Sequence, residues 1–190
     1  KNGLILMGIE AVLTGLYLYV LLQKIVSATM SGINSVFGTS RMAAQTPSLG
    51  GFFGYGIIIA IIVSLVIATL VMGLMKAMAE ADINWFQSCQ IAGMRSLGLS
   101  LGWILGILGL FLGMYQFAIL IIVVGGVLGM IYMIVAMMSY PNTKKDMIAY
   151  VVLITILVAT FISYVVLKEF VLSSLINNGG STTHFLNNIL

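Results

Sequence analysis

The sequence predicts an all-α, polytopic membrane bundle of five transmembrane helices, and three observations carry that expectation. Hydrophobic residues make up 61% of the chain and charged residues only 7%, against roughly 45–50% and about 25% in soluble domains. The mean hydropathy is +1.18. The apolar residues also gather into stretches that can cross a bilayer. A crossing takes about 20 residues, because each unpaired backbone group in hydrocarbon costs several kcal/mol.

Span one runs from Gly3 to Leu22 and ends at Gln23 and Lys24. Span two, Gly54 to Met75, is rich in Ile and Val and is closed by Lys76. From Ser96 to Ser139 there is no formal charge, room enough for two crossings. Tyr115 and Gln116 at the midpoint are the expected tight turn between span three, 96–114, and span four, 117–138. Span five, Met147 to Leu167, is closed by Lys168 and Glu169, and Asp146 in the basic "TKKDM" is placed to cap its first turn. Together they form a single membrane domain, 1–190. Lys1 rather than Met opens the chain, which fits a soluble segment upstream. A signal peptide over residues 1–22 fits less well, since its apolar region is usually about 7–15 residues and no small-x-small site follows.

The connections differ in character. Ser27 to Gly51, "SATMSGINSVFGTSRMAAQTPSLGG", is small, polar and broken by Pro47, and reads as a surface loop. Residues 76–95 read as a short interfacial helix capped by Asp82, with Ile83, Trp85, Phe86 and Cys89 on its apolar side and Lys76 and Arg95 nearby, the pattern of an aromatic belt anchor. After span five, "FVLSSLI" continues as an interfacial helix before a tail of Asn, Gly, Ser and Thr.

The net charge of +3 comes from 8 Lys and Arg against 5 Asp and Glu in short, separate clusters. That distribution suits loops at a membrane surface, and it excludes nucleic acid as a partner. Across five crossings, Lys1, Lys76, Arg95, Lys144 and Lys145 fall on one side and Lys24, Arg41 and Lys168 on the other. The positive-inside rule therefore puts the N-terminus in the cytoplasm and the C-terminus outside, in a cell membrane.

"GLSLG", residues 98–102, has the Gly-x-Ser-x-Gly spacing of a hydrolase nucleophile turn. A serine nucleophile needs a base in reach and a strained, exposed turn. Ser100 has neither: it lies inside an apolar run, and the chain's one histidine, His184, falls in a tail on the opposite side. Extending the pattern gives a better account. Gly98, Gly102 and Gly106 repeat every four residues, with Gly109 and Gly113 one step round, so span three carries a glycine face along which another backbone can approach. Ser100 then reads as a helix hydroxyl bonded to a backbone carbonyl. Gly125 and Gly129 repeat the device in span four, and Gly8, Ala11 and Gly15 in span one, making spans one, three and four the expected tight part of the bundle.

Glu10 is the most informative residue. At about 1.5 Å per residue it lies roughly 10 Å along the helix from Gly3, where a charge costs about 2.5–3.5 kcal/mol on insertion scales. Thr14 and Tyr17 follow on the same helical face. Two roles fit. Glu10, Thr14 and Tyr17 line an ion, proton or substrate site, or Glu10 is a structural acid satisfied by Arg95 or Lys76 from the same side. The nearness of those bases and the lack of a second intramembrane acid favour the structural role.

Other chemistry finds no support. There is no phosphate-binding glycine loop, no His-Glu-x-x-His and no pair of membrane-embedded aspartates. One Cys and one His exclude an internal disulfide and a multi-Cys or multi-His metal site. The 13 Met residues, spread through the spans, read as adaptable packing rather than a copper path. No cofactor is expected.

Five closely spaced spans, a cytoplasmic N-terminus and "FQSCQIAGMRSLGLSLGWILGILGLF" leading into a paired helix resemble the bacterial branch of the Yip family, over roughly residues 54–167. The resemblance implies the five-span architecture. Eukaryotic members associate with small GTPases and carry an Asp-Leu-x-Gly-Pro-like segment before the membrane; these 190 residues contain none, so no binding residue carries over. The expected function is that of a non-catalytic membrane scaffold or complex subunit, accessory to envelope or membrane homeostasis, in contact with the lipid bilayer and with a second copy or other membrane subunits. The alternative is a small transporter or channel component using the intramembrane carboxylate.

Overall fold

Lipid offers no hydrogen-bond partners, so a chain this apolar must satisfy its backbone internally, and helices do so within each segment. The computed structural model describes residues 2–37 and 49–178. They form α1 (Asn2–Phe37), α2 (Leu49–Ala77), α3 (Trp85–Phe111), α4 (Tyr115–Met138) and α5 (Lys145–Asn178), with no strand among them. All five are long and apolar enough to cross a membrane, over Asn2–Ile25, Phe53–Ala77, Trp85–Phe111, Tyr115–Met138 and Lys145–Val166. The protein is an all-α five-helix bundle of the multi-pass membrane class.

Helix α3 is the hub: α1, α2 and α4 pack on it, α1 also packs on α2, and α5 rests on α2 and α4. Spans one, three and four were expected to form the tight part of the bundle, and the α3–α4 and α1–α3 contacts are its most extensive. Spans one and four each pack on α3, with no backbone approach between α1 and α4 among the described residues. At one end Gly3 meets Gly93, and the α2–α3 and α4–α5 connections are joined by a hydrogen bond from Lys144 N to Ala79 O (3.0 Å) and a Lys144–Glu80 ion pair. Asn2 and both connections thus share one end of the bundle, as five alternating crossings require. A cluster including Met75, Ile83, Ile91, Met133, Met137 and Val151 fills that end; Tyr17, Val20, Ile107, Leu110 and Ala118 form a second cluster toward the other.

Several boundaries differ from expectation, each for a local reason. Residues 85–95 are the first turns of α3, not an interfacial helix. The cap is Asn84 rather than Asp82: Asn84 Oδ1 accepts from Gln87 N (2.9 Å), and Gln87 Oε1 accepts from Asn84 N (2.7 Å). This reciprocal box satisfies two donors at once, and it turns Ile83 and Cys89 into the core while Phe86 stays exposed. The turn between spans three and four is Leu112–Met114, with Tyr115 already in α4. Gly113 takes φ +74°, Met114 N bonds to Gly109 O (2.9 Å) and Gly113 N to Leu110 O (3.2 Å), a Schellman ending that favours glycine. Gly113 therefore ends the helix and faces open space; it is not a packing position.

Among the described residues, both ends of the expected loop from Ser27 are helical. α1 continues to Phe37 because nothing before Pro47 forbids it and hydroxyls such as Ser27 Oγ can bond back onto the helix, here to Lys24 O at 3.0 Å. Residues 49–51 belong to α2, and Arg41 and Pro47 lie outside the described residues. Asp146, the expected cap of span five, instead sits inside the first turn of α5, which begins at Lys145; the helix dipole favours it there. "FVLSSLI" extends α5 without a break, and His184 lies outside the described residues.

An extended close backbone approach joins α3 to α4. A Cβ on Gly98 would overlap the Gly129 backbone, one on Gly125 would lie 2.6 Å from Gly102 Cα, and one on Gly129 would lie 2.6 Å from Arg95 O. Further along, Gly106 faces Ile122 and Gly109 faces Ala118 at ordinary contact or slightly tighter, so the helices diverge a little. In span one, Gly15 packs on Phe53 and Ala11 is buried, but Gly8 is exposed to open space. Gly98→Ala should therefore destabilise the bundle by about 1–3 kcal/mol through overpacking. Gly73→Ala, whose Cβ would meet nothing within 4 Å, should be neutral or stabilise by up to about 1 kcal/mol through helix propensity. Unfolding titrations in mixed micelles would show Gly98→Ala lowering the midpoint and Gly73→Ala leaving it unchanged or raising it.

Candidate functional site

Glu10 projects from α1 toward α3 and is 5% exposed. At about 1.5 Å per residue it lies about 12 Å in from Asn2, with Arg95 about 15 Å in from Trp85 and Ser64 about 20 Å in from Ala77. All three sit well inside their spans. Arg95 Nη2 donates to Glu10 Oε1 at 3.0 Å and more weakly to Oε2 at 3.4 Å. Ser64 Oγ on α2 donates to Oε2 at 3.3 Å, and Ser96 Oγ on α3 makes a closer contact with the same oxygen. One carboxylate thus ties three helices together, with both of its oxygens occupied.

The pairing fits the chemistry of the site. Breaking a buried ion pair by removing one partner costs about 3–5 kcal/mol, so a lone carboxylate here would be severely destabilising. A guanidinium neutralises it, and the hydroxyls satisfy lone pairs that the cation leaves open. Ser96 can also reach Ala92 O at 3.3 Å, but its single proton is better used on the closer, charged oxygen. Lys76, the other candidate base, is exposed in the last turn of α2.

The other sequence candidates separate. Thr14 gives its hydroxyl to Glu10 O at 2.8 Å, a bond internal to α1 that leaves the carboxylate untouched. Tyr17 shares the helical face but serves a different level: its ring packs on Trp103 with centroids 4.8 Å apart and planes tilted by 48°. Ser100 Oγ is buried and has no hydrogen-bond partner, so the expected bond to a backbone carbonyl is not formed. Trp103 Nε1 is buried and unpartnered in the same region. Among the described residues no three His, Cys, Asp or Glu side chains are grouped to hold a metal ion. Outside the spans, burial pushes the Tyr140 hydroxyl above the ordinary tyrosine range.

Ser64 and Ser96 were not singled out from sequence. Their signals were present but faint: Ser64 is a lone hydroxyl in "GIIIAIIVSLVI", and Ser96 follows Arg95 directly. Arg95 has a second environment as well, since it also lines a cleft of about 270 Å³ with Thr155, Thr160 and Ser163 of α5.

Ser96→Ala should cost about 1–3 kcal/mol, because it removes a close donor to a buried anion. Ser64→Ala should cost less, given its longer bond, and Thr14→Val should stay within about 0.5 kcal/mol. The order Ser96, Ser64, Thr14 in an unfolding titration checks the geometry; an equal cost for Thr14→Val would contradict it.

Compared with family models, with curated proteins and with solved structures, the chain matches none.

Proposed function

We propose that the protein is a non-catalytic integral membrane subunit that works through its helix faces, as a scaffold in a homo-oligomer or in a complex with other membrane proteins. The observation that carries this reading is the full commitment of the intramembrane acid. Glu10 holds Arg95, Ser64 and Ser96, so it serves as a clasp between α1, α2 and α3. A site for a passing proton or solute would need a carboxylate free to exchange partners. The outward surface supports the same reading: Ile119, Val123, Val127, Ile131 and Val135 of α4 are exposed, apolar and available to lipid or to a neighbouring helix.

The five-span layout of the bacterial Yip branch is the architectural precedent adopted in this proposal, with an accessory role in envelope or membrane homeostasis. The proposed orientation keeps Asn2 and the α2–α3 and α4–α5 connections in the cytoplasm of a cell membrane. Arg95 leaves the charge count because it is paired inside a span. Lys1, Lys76, Lys144 and Lys145 then face Lys24, Arg41 and Lys168 across the bilayer, which keeps the sign of the bias.

Native mass measurement after extraction in mild detergent should show a homo-oligomer or a stoichiometric partner chain; a strictly monomeric, unaccompanied protein would contradict the proposal. Vesicles reconstituted with the wild type should show only background proton flux, equal to that with a Glu10→Gln variant. Flux above background that Glu10→Gln abolishes would favour the transporter reading instead.

A further inference from the structure

Helix α5 packs on α2 and α4 but, among the described residues, makes no backbone approach to α3. The gap is the cleft of about 270 Å³ bounded by α2, α3, α4 and α5. Its walls are largely aliphatic, with Val63, Ile67, Leu99, Met130, Met133 and Ile156 among them, and no aromatic side chain lines it. Two of its three hydroxyls are already spent: Thr155 donates to Val151 O and Ser163 to Ala159 O, each at 2.7 Å. Arg95 is different. It gives only Nη2 to Glu10, while Nε is buried without a partner and Nη1 makes no hydrogen bond among the described residues.

We propose that this cleft holds an acyl chain of an uncharged acylglycerol, with the ester carbonyl accepting a hydrogen bond from the Arg95 guanidinium. This binding role goes beyond the subunit reading and does not depend on it. Three features select the ligand class. Glu10 already balances the charge of Arg95, so a phosphate or carboxylate would add an uncompensated negative charge inside the membrane, whereas a neutral carbonyl can accept from Nη1 without one. The cleft lies at mid-span, with Arg95 about 15 Å from the start of α3, a depth that a lipid without a charged headgroup reaches more easily. The aliphatic walls suit a flexible chain, while a flat quinone ring would find no aromatic face to stack on. At just under the usual ligand-pocket range of about 300–1,000 Å³, the cleft takes part of one chain and leaves the rest in the bilayer.

The test uses the full chain in phosphatidylcholine nanodiscs with a diacylglycerol that carries a photoactivatable diazirine in mid-chain. Peptide mass spectrometry should place the label on segments containing Leu99, Met130 or Ile156. Unlabelled diacylglycerol should compete, and phosphatidylglycerol or a lipid-soluble quinone should not. Gly126→Leu should fill the cleft without a backbone clash, since a Cβ there meets only Leu99 Cδ2 at 3.9 Å; Ala159→Leu should fill it from the opposite wall. Each should lower labelling by at least about tenfold, the ratio for a tenfold weaker site, while size-exclusion profiles stay unchanged. Label spread over the outer helix faces, equal competition by phosphatidylglycerol or quinone, or full labelling of both folded variants would overturn the proposal. The wild-type map and the competition decide the matter even if a filled variant fails to fold.

Discussion

A carboxylate inside a membrane must find a counter-charge within the protein, and the arrangement of this bundle depends on how Glu10 meets that demand. Arg95 supplies the charge and Ser64 and Ser96 supply hydroxyl donors. Because these groups come from α2 and α3, the contact fixes which face of α1 turns inward and at what depth it sits. Apolar packing alone would set neither, since lipid chains solvate the outside of a helix about as well as a neighbouring helix does. Such a pair adds little net stability over a well-packed apolar core, but losing either partner is costly. Its value here is positional.

The second constraint is steric. At the α3–α4 contact, Gly98, Gly102, Gly125 and Gly129 bring the backbones together, and Gly129 packs on the carbonyl of Arg95 itself. The glycine contact therefore supports the helix segment that carries the ion pair. On the far side α5 has no such contact with α3, and the gap leaves the same arginine lining a cleft. Arg95 thus joins a closed, satisfied polar contact to an open, mostly apolar one.

Long apolar runs made the five spans readable, because length and hydropathy depend on composition more than on context. Glu10 was likewise readable as an isolated charge in a span, whereas Arg95 was read in the connection just before span three and lies inside α3, with its pairing to Glu10 left as one of two choices. Boundaries fared worse where a local bond decided them. Asn84 beat Asp82 because Gln87 stands three residues on, and Gly113 ended α3 through its positive φ, although its spacing also fitted a glycine face. Ser64 and Ser96 were hidden for a different reason. A hydroxyl in an apolar helix usually bonds to its own backbone, as Thr14, Thr155 and Ser163 do, so only the three-dimensional position of Glu10 distinguishes the two that reach its carboxylate. The lack of a partner for Ser100 also followed from packing that spacing cannot express.

The central claim, that the Glu10–Arg95 pair locks α1 to α3, is tested most directly by a double-mutant cycle with Glu10→Gln, Arg95→Gln and the combined variant, measured as unfolding free energies in mixed micelles. Each single substitution should strand a buried charge and cost about 3–5 kcal/mol, and the double substitution should recover much of that loss, giving a coupling of at least about 2 kcal/mol. Costs that add to within about 0.5 kcal/mol would mean that the two residues act independently, and the account of the bundle built on their contact would fail.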